Sequence, residues 1–181
     1  MPPKYSFGKA DGDLNNQQWF KSGMETHGSA LLINNKFPEG KSLGIMKNNK
    51  SVTMGCEHAE DVFIRSIKDD TASLSVSPAV NTVILSISKS PCSSTYDTSN
   101  KTVGCAEELI KFQNNIYKSP INGNEYVFKV IVIARAVYKQ STGSHNALDF
   151  MRANGIEVTT DVHHKKDGTA MKKEYAMDES D

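Results

Sequence analysis

Two β-rich runs constrain this chain more than anything else in it: AVNTVILSIS, residues 79–88, and EYVFKVIVIARAVY, residues 125–138. Val, Ile and aromatic side chains suit a pleated, buried surface. Between the runs, CAEELIKFQNN places Ala106, Leu109, Ile110 and Phe112 on one helical face. After them NALDFMRANG reads as a further helix stopped by Asn154-Gly155, with IEVTT as a final strand. Strands and helices alternating in this way bury their apolar faces on each other as a sheet carrying helices.

Upstream, SALLIN and SLGIM are short apolar runs joined by NKFPEGK, whose Pro and Gly mark the turn of a hairpin. HAEDVFIRSIKD follows, with Ala59, Val62, Phe63 and Ile67 at helical spacing. A short helix around NNQQWFKSG precedes the hairpin, and Trp19 and Phe20 are expected to pin it to the core. The expected order is α-β-β-α-β-α-β-α-β, an α/β fold with a central mixed sheet of about five strands flanked by helices. At 181 residues the chain suits one domain with a real core. The expected division is a loose lead over residues 1–16, a single domain over 17–162 and a polar tail over 163–181.

Charge narrows the function classes. The chain balances 21 basic against 21 acidic residues, so no overall field draws it to nucleic acid, an acidic partner or a membrane surface, and local patches must carry any such contact. The most apolar stretch, VFKVIVIARAVY, is interrupted by Lys129 and Arg135 and falls short of the roughly 20 residues that a membrane-spanning helix needs. The opening MPPKYSFGKADGDLNN lacks the apolar core of a signal peptide. Three cysteines, an odd count, speak against a disulfide framework. The expectation is a soluble monomer without a membrane partner, in the reducing cytoplasm or nucleus.

The stretch SKSPCSSTYDTSNKTVGCAEEL sets Cys92 and Cys105 around twelve mostly polar residues. A disulfide, a metal and chance are the possible reasons. His58 and Glu60 stand at the start of the first sheet-flanking helix, Cys92 at the end of a strand and Cys105 at the start of the next helix, which are neighbouring ends in such a fold. One imidazole and two thiolates are ligands that zinc favours, and three protein ligands leave a fourth position for water. Residues two apart on a helix point to nearly opposite sides, so His58 and Glu60 share a target only because they begin the helix. The twelve-residue loop is no obstacle: lengthening a loop from about three residues costs on the order of 1.2 kcal/mol, against roughly 10–16 kcal/mol apparent for structural zinc sites. Gly104, Glu107 and Glu108 suit a fresh helix N-terminus at Cys105, the acids complementing its dipole.

Ordinary alternatives stand beside these assignments. The three ligands read otherwise as buried thiols and a core histidine, and Glu60 as a solvated acid at a helix start. Cys56 reads as a small core filler, Arg135 as structural, and His163 and His164, beside Lys165 and Lys166, as part of a solvated tail.

His58-Ala59-Glu60, Pro91-Cys92 and Cys105 resemble the H-x-E…P-C…C signature of zinc deaminases, with twelve residues in place of two between the cysteines. Over roughly residues 27–160 the pieces come in the order found in AID/APOBEC-like polynucleotide cytidine deaminases. HAEDVFI resembles the family's HAE-x-x-FL, SISKSPC its SWSPC, CAEELIKF its CA-x-x-L-x-x-F, ARAVY its ARLYY, and NALDFMRANGIEV the helix and strand that follow. The resemblance implies a cytidine deaminase-like fold with zinc on His58, Cys92 and Cys105. It implies attack of zinc-activated water on C4 of cytosine, with Glu60 as proton shuttle. It also implies a substrate pocket that includes His27, Ser29, Asn49 and Ser90, with Tyr138 in the loop that stacks on the base before the target. The chain departs from the family at Lys89, where the family has a pocket-forming Trp, and at YKQSTGS, which offers only Tyr138 for stacking.

Three functions from different classes are thereby in play. The first is deamination of cytosine in single-stranded DNA or RNA, the second deamination of free cytidine or another small amine, and the third a non-catalytic zinc-stabilised binding module. Intact Glu60 speaks against the third.

Overall fold

The computed structural model describes residues 27–47, 58–96, 103–134 and 142–160. Among these, six strands and three helices alternate. They are β1 (His27–Ile33), β2 (Lys41–Lys47), α1 (Ala59–Asp69), β3 (Val80–Ile87), α2 (Cys105–Asn114), β4 (Tyr117–Lys118), β5 (Glu125–Ala134), α3 (Thr142–Ala153) and β6 (Glu157–Thr160). The fold is mixed α/β.

The spine of the sheet is β3 beside β5, parallel and in continuous register from Val80↔Val127 to Ile87↔Ala134. On the other side of β3 lies β1, antiparallel, and beyond it β2, the second arm of the expected hairpin. The far edge of β5 is shared: β4 pairs antiparallel with Tyr126 and Glu125 at one end, and β6 pairs parallel with residues 131–134 at the other. The sixth strand is β4, beyond the five expected. With two residues it has no periodicity for a sequence reading to detect.

Alternation along the strands divides the core. Ala30 and Leu32 of β1, Val83, Leu85 and Ile87 of β3, and Phe128, Val130 and Val132 of β5 share one cluster with residues from all three helices. Leu31, Ile84, Ile131 and Ile133 form a second cluster on the opposite face. Both faces are buried, which explains why these strands read as near-continuous apolar runs.

On α1 the buried residues are Ala59, Glu60, Phe63 and Ile67. Val62, expected inward, is only half-buried, and Glu60 lies on the buried side in addition to the expected residues. Ala106, Leu109 and Phe112 of α2 are buried as expected, while Ile110 is partly covered. Phe112 ties the layers together, stacking on Phe128 at 4.3 Å between ring centroids and meeting Phe63 edge-on at 6.5 Å.

The stop at Asn154-Gly155 has the form that glycine permits. Gly155 adopts φ 90°, its N–H donates to Arg152 O at 3.1 Å and Ile156 N–H donates to Met151 O at 3.0 Å, the paired bonds of a Schellman ending. The strand expected to run on to residue 138 is described to Ala134. The expected N-terminal helix with Trp19 and Phe20, the lead over 1–16 and the tail over 163–181 lie outside the described residues. Among the described residues, no helix is long and apolar enough to cross a membrane.

Candidate metal centre

The N-terminal ends of α1 and α2 meet beyond the end of β3, and each element delivers one donor. His58 is the N-cap of α1, with an extended backbone at φ −77° and ψ 164°. That conformation takes its side chain off the helical wheel, so it need not point away from Glu60 two residues later. Its N–H donates to Asp61 Oδ2 at 2.9 Å, and its carbonyl accepts the first helical bond from Val62. An acid three residues after an N-cap is the half of a capping box that fixes how the chain enters the helix.

Cys92 follows β3 by five residues, and Cys105 is the first residue of α2. The two are held together through the backbone: Ala106 N–H donates to Cys92 O at 2.8 Å, and Cys105 N–H points at Cys92 Sγ at 3.5 Å. Gly104 is the N-cap between them. A Cβ there would collide with the backbone at Ser93 and Ser94, so the close return of the loop requires glycine.

His58 Nδ1 lies 3.6 Å from Cys92 Sγ and 3.3 Å from Cys105 Sγ. All three donor atoms fall within 4.8 Å of one another. Tetrahedral zinc, with Zn–S about 2.3 Å and Zn–N about 2.0–2.1 Å, sets sulfur and nitrogen about 3.5 Å apart. The group could therefore hold a metal ion. Cys92 and Cys105 are buried thiols outside any disulfide, His58 is half-buried, and all the donors are of the borderline to soft kind that zinc accepts.

Glu60 is 3 % exposed, which sets aside its reading as a solvated helix-start acid. Ser90, two residues before Cys92, is buried as well. Ser29 is fully buried in β1 opposite Ser86, and alternation puts it with Leu31 on the sheet face turned away from the helices. His27 opens β1, paired with Lys47. Asn49 and Tyr138 lie outside the described residues, as do Cys56 and Arg135.

Two features near the centre escaped the sequence reading. Glu107, assigned only to the helix dipole, accepts from Ser93 Oγ at 2.7 Å, Ser94 N–H at 3.1 Å and Thr95 N–H at 3.3 Å. Burial pushes its carboxyl up, but these bonds outweigh that and hold it below the ordinary 4.5. The available signal was a run of Ser and Thr opposite an acid at the third helical position. The second is Tyr96, 42 % exposed, whose ring leans on Phe150 of α3 at 5.1 Å.

Compared with models of known protein families the sequence matches none, and no curated protein matches it.

Proposed function

We propose that this chain is a zinc-dependent hydrolytic deaminase converting cytosine to uracil in single-stranded DNA or RNA, on a cytidine deaminase-like fold. The observation that supports this reading most is the convergence of His58, Cys92 and Cys105 two residues from the buried acid Glu60. His58, Cys92 and Cys105 would hold a zinc ion, which would supply a Lewis acid able to activate water near neutral pH.

The remaining steps belong to the chain. Glu60 takes a proton from the attacking water and delivers it to ring N3. It then carries the second proton, from the hydroxyl on C4, to the exocyclic nitrogen, which leaves as ammonia while C4 keeps the oxygen as the carbonyl of uracil. Burial keeps Glu60 from exchanging that proton with bulk water between the two steps. In this reading buried Ser90 bonds the base edge, and Tyr138, by the family resemblance, stacks on the neighbouring base. With charges balanced overall, few phosphates are neutralised, so strand affinity is modest and its salt dependence shallow.

The test compares purified protein on a cytosine-containing single strand, the matching duplex and free cytidine, with uracil as the readout. Single strands should be deaminated best. Glu60→Ala should lose turnover by about 100-fold or more while keeping its zinc. Good turnover of cytidine without turnover of the oligonucleotide replaces this reading with the small-substrate one. A zinc-loaded protein inactive on all three leaves the binding module.

A further inference from the structure

Three consecutive residues directly after Cys92 are tied to one carboxylate on α2. Ser93 Oγ, Ser94 N–H and Thr95 N–H all donate to Glu107. Ser93, fully buried, also accepts at its Oγ from Thr95 N–H and Tyr96 N–H, both at 3.1 Å. Ser94 Oγ accepts from Gly104 N–H at 2.9 Å. The polar segment between the cysteines thus leaves and returns through a closed neck, and Glu107 is its hub.

The neck has a consequence for the metal donors. Cys105 is carried by α2 itself, whereas Cys92 belongs to the segment that follows β3. Two contacts bring Cys92 to α2 directly, through its carbonyl and its sulfur. Without a restraint on residues 93–95, those two contacts alone would set the place of Cys92 relative to α2. Glu107 supplies that restraint from one residue beyond Cys92, on the helix that carries the other thiol.

We propose that Glu107 is a positioning residue for the metal centre, setting the separation of the Cys92 and Cys105 sulfurs by strapping residues 93–95 to the first turn of α2. It touches neither metal nor substrate. The inference rests on the metal reading above but goes beyond it, because nothing in the ligand set calls for this acid. Partners that orient ligands typically change metal affinity by about 10–100-fold when removed.

A structural role alone and a positioning role differ in what they move. The experiment measures zinc affinity by competition with a chromophoric chelator, and the absorption of the cobalt(II)-substituted protein, for wild type, Glu107→Ala, Glu107→Gln and Ser93→Ala. Stability of each metal-free protein is measured alongside. Glu107→Ala should weaken zinc binding about tenfold or more and shift the cobalt spectrum. Glu107→Gln, which keeps an acceptor for the backbone N–H groups, should recover most of the affinity. Ser93→Ala should fall between them, and it decides the matter if Glu107→Ala does not fold. Zinc affinity within twofold of wild type in Glu107→Ala, or in Ser93→Ala where that variant decides, overturns the proposal even if metal-free stability drops. Wild type that takes up neither zinc nor cobalt ends the metal reading, and this one with it.

Discussion

Helix α1 buries polar groups at both of its ends, and the two ends use opposite chemistry. Its eleven residues put the ends about 16 Å apart at 1.5 Å per residue. Near the C-terminal end, Asn34 and Asn81 are buried and linked side chain to side chain at 2.8 Å. Asn34 Oδ1 accepts from Lys36 and Phe37 N–H, and its Nδ2 donates to Ser73 O. Asn81 accepts from Ser75 N–H and donates to Ser75 O and Val127 O. These amides connect the hairpin turn, the entry to β3 and the start of β5. At the N-terminal end, beside buried Glu60, sit two buried thiols and a half-buried imidazole, poor partners for one another as hydrogen-bonding groups but within reach of a shared cation. Amides are sufficient where only a junction has to be held. Soft donors gathered in one place suit a different task, since they could hold a metal ion.

The contrast breaks most decisively at the thiols. Cys105→Ser should reduce zinc from about one per chain to near none. A chelator should then lower the melting temperature of wild type, by the equivalent of several kcal/mol, and leave that of the variant unmoved. If zinc content and stability survive the change, Cys105 is not a ligand and the reading of the insertion between the cysteines is wrong.

At the other end the expected loss is smaller and unrelated to metal. Asn81→Ala leaves Ser75, Val127 and Asn34 groups without their buried partner. At roughly 1–3 kcal/mol for each group left unmet, partly relieved by relaxation, denaturant unfolding should show a loss of about 3–5 kcal/mol. Zinc per folded chain should be unchanged. A parallel loss of zinc would show that the two ends are coupled through α1.

The smallest effect sharpens the comparison with pH. Asp70, the C-cap of α1, meets Lys41 Nζ at 3.1 Å and accepts from Ser73 Oγ at 2.8 Å. Burial pushes its carboxyl up, but the bonds from Ser73 and Lys41 and the lysine's charge hold it below the ordinary 3.8. A depressed carboxylate stabilises the fold above its unfolded value and loses that contribution as pH falls through the lower folded value. Wild type should therefore exceed Asp70→Asn in stability at neutral pH, with the difference shrinking below about pH 3.8. Both side chains are more than a third exposed, so the neutral-pH difference should stay under about 1 kcal/mol. A difference that persists at low pH assigns the interaction to packing.

Much of this was legible in the residues and some was not. The hairpin, the two long strands, the helices between them and the Asn154-Gly155 stop all rest on patterns repeated over several residues or on glycine's own conformational preference. The gathering of His58, Cys92 and Cys105 followed from knowing which ends of which elements lie together. Strand β4 failed to show because two residues cannot express a period. The Asn34–Asn81 link joins positions 47 residues apart, and Glu107 reaches back across the whole insertion. The amide link leaves no local pattern and the Ser/Thr run opposite Glu107 does not decide its partner, because an amide or a carboxylate reads the same in sequence whether it meets solvent or a buried partner.

By itself, then, the sequence determined the alternation of strand and helix, the apolar faces that pair them and the donor types at the strand and helix ends, since each depends on neighbours along the chain. Tertiary structure alone decided three other things. It placed both sulfurs within coordination reach of one imidazole nitrogen, it buried Glu60 instead of leaving it solvated, and it made Glu107 the strap of the loop after Cys92. The physical reason is that distances between donors on different elements, and the water excluded around an acid, are set by how layers pack, and packing is a property of the whole fold.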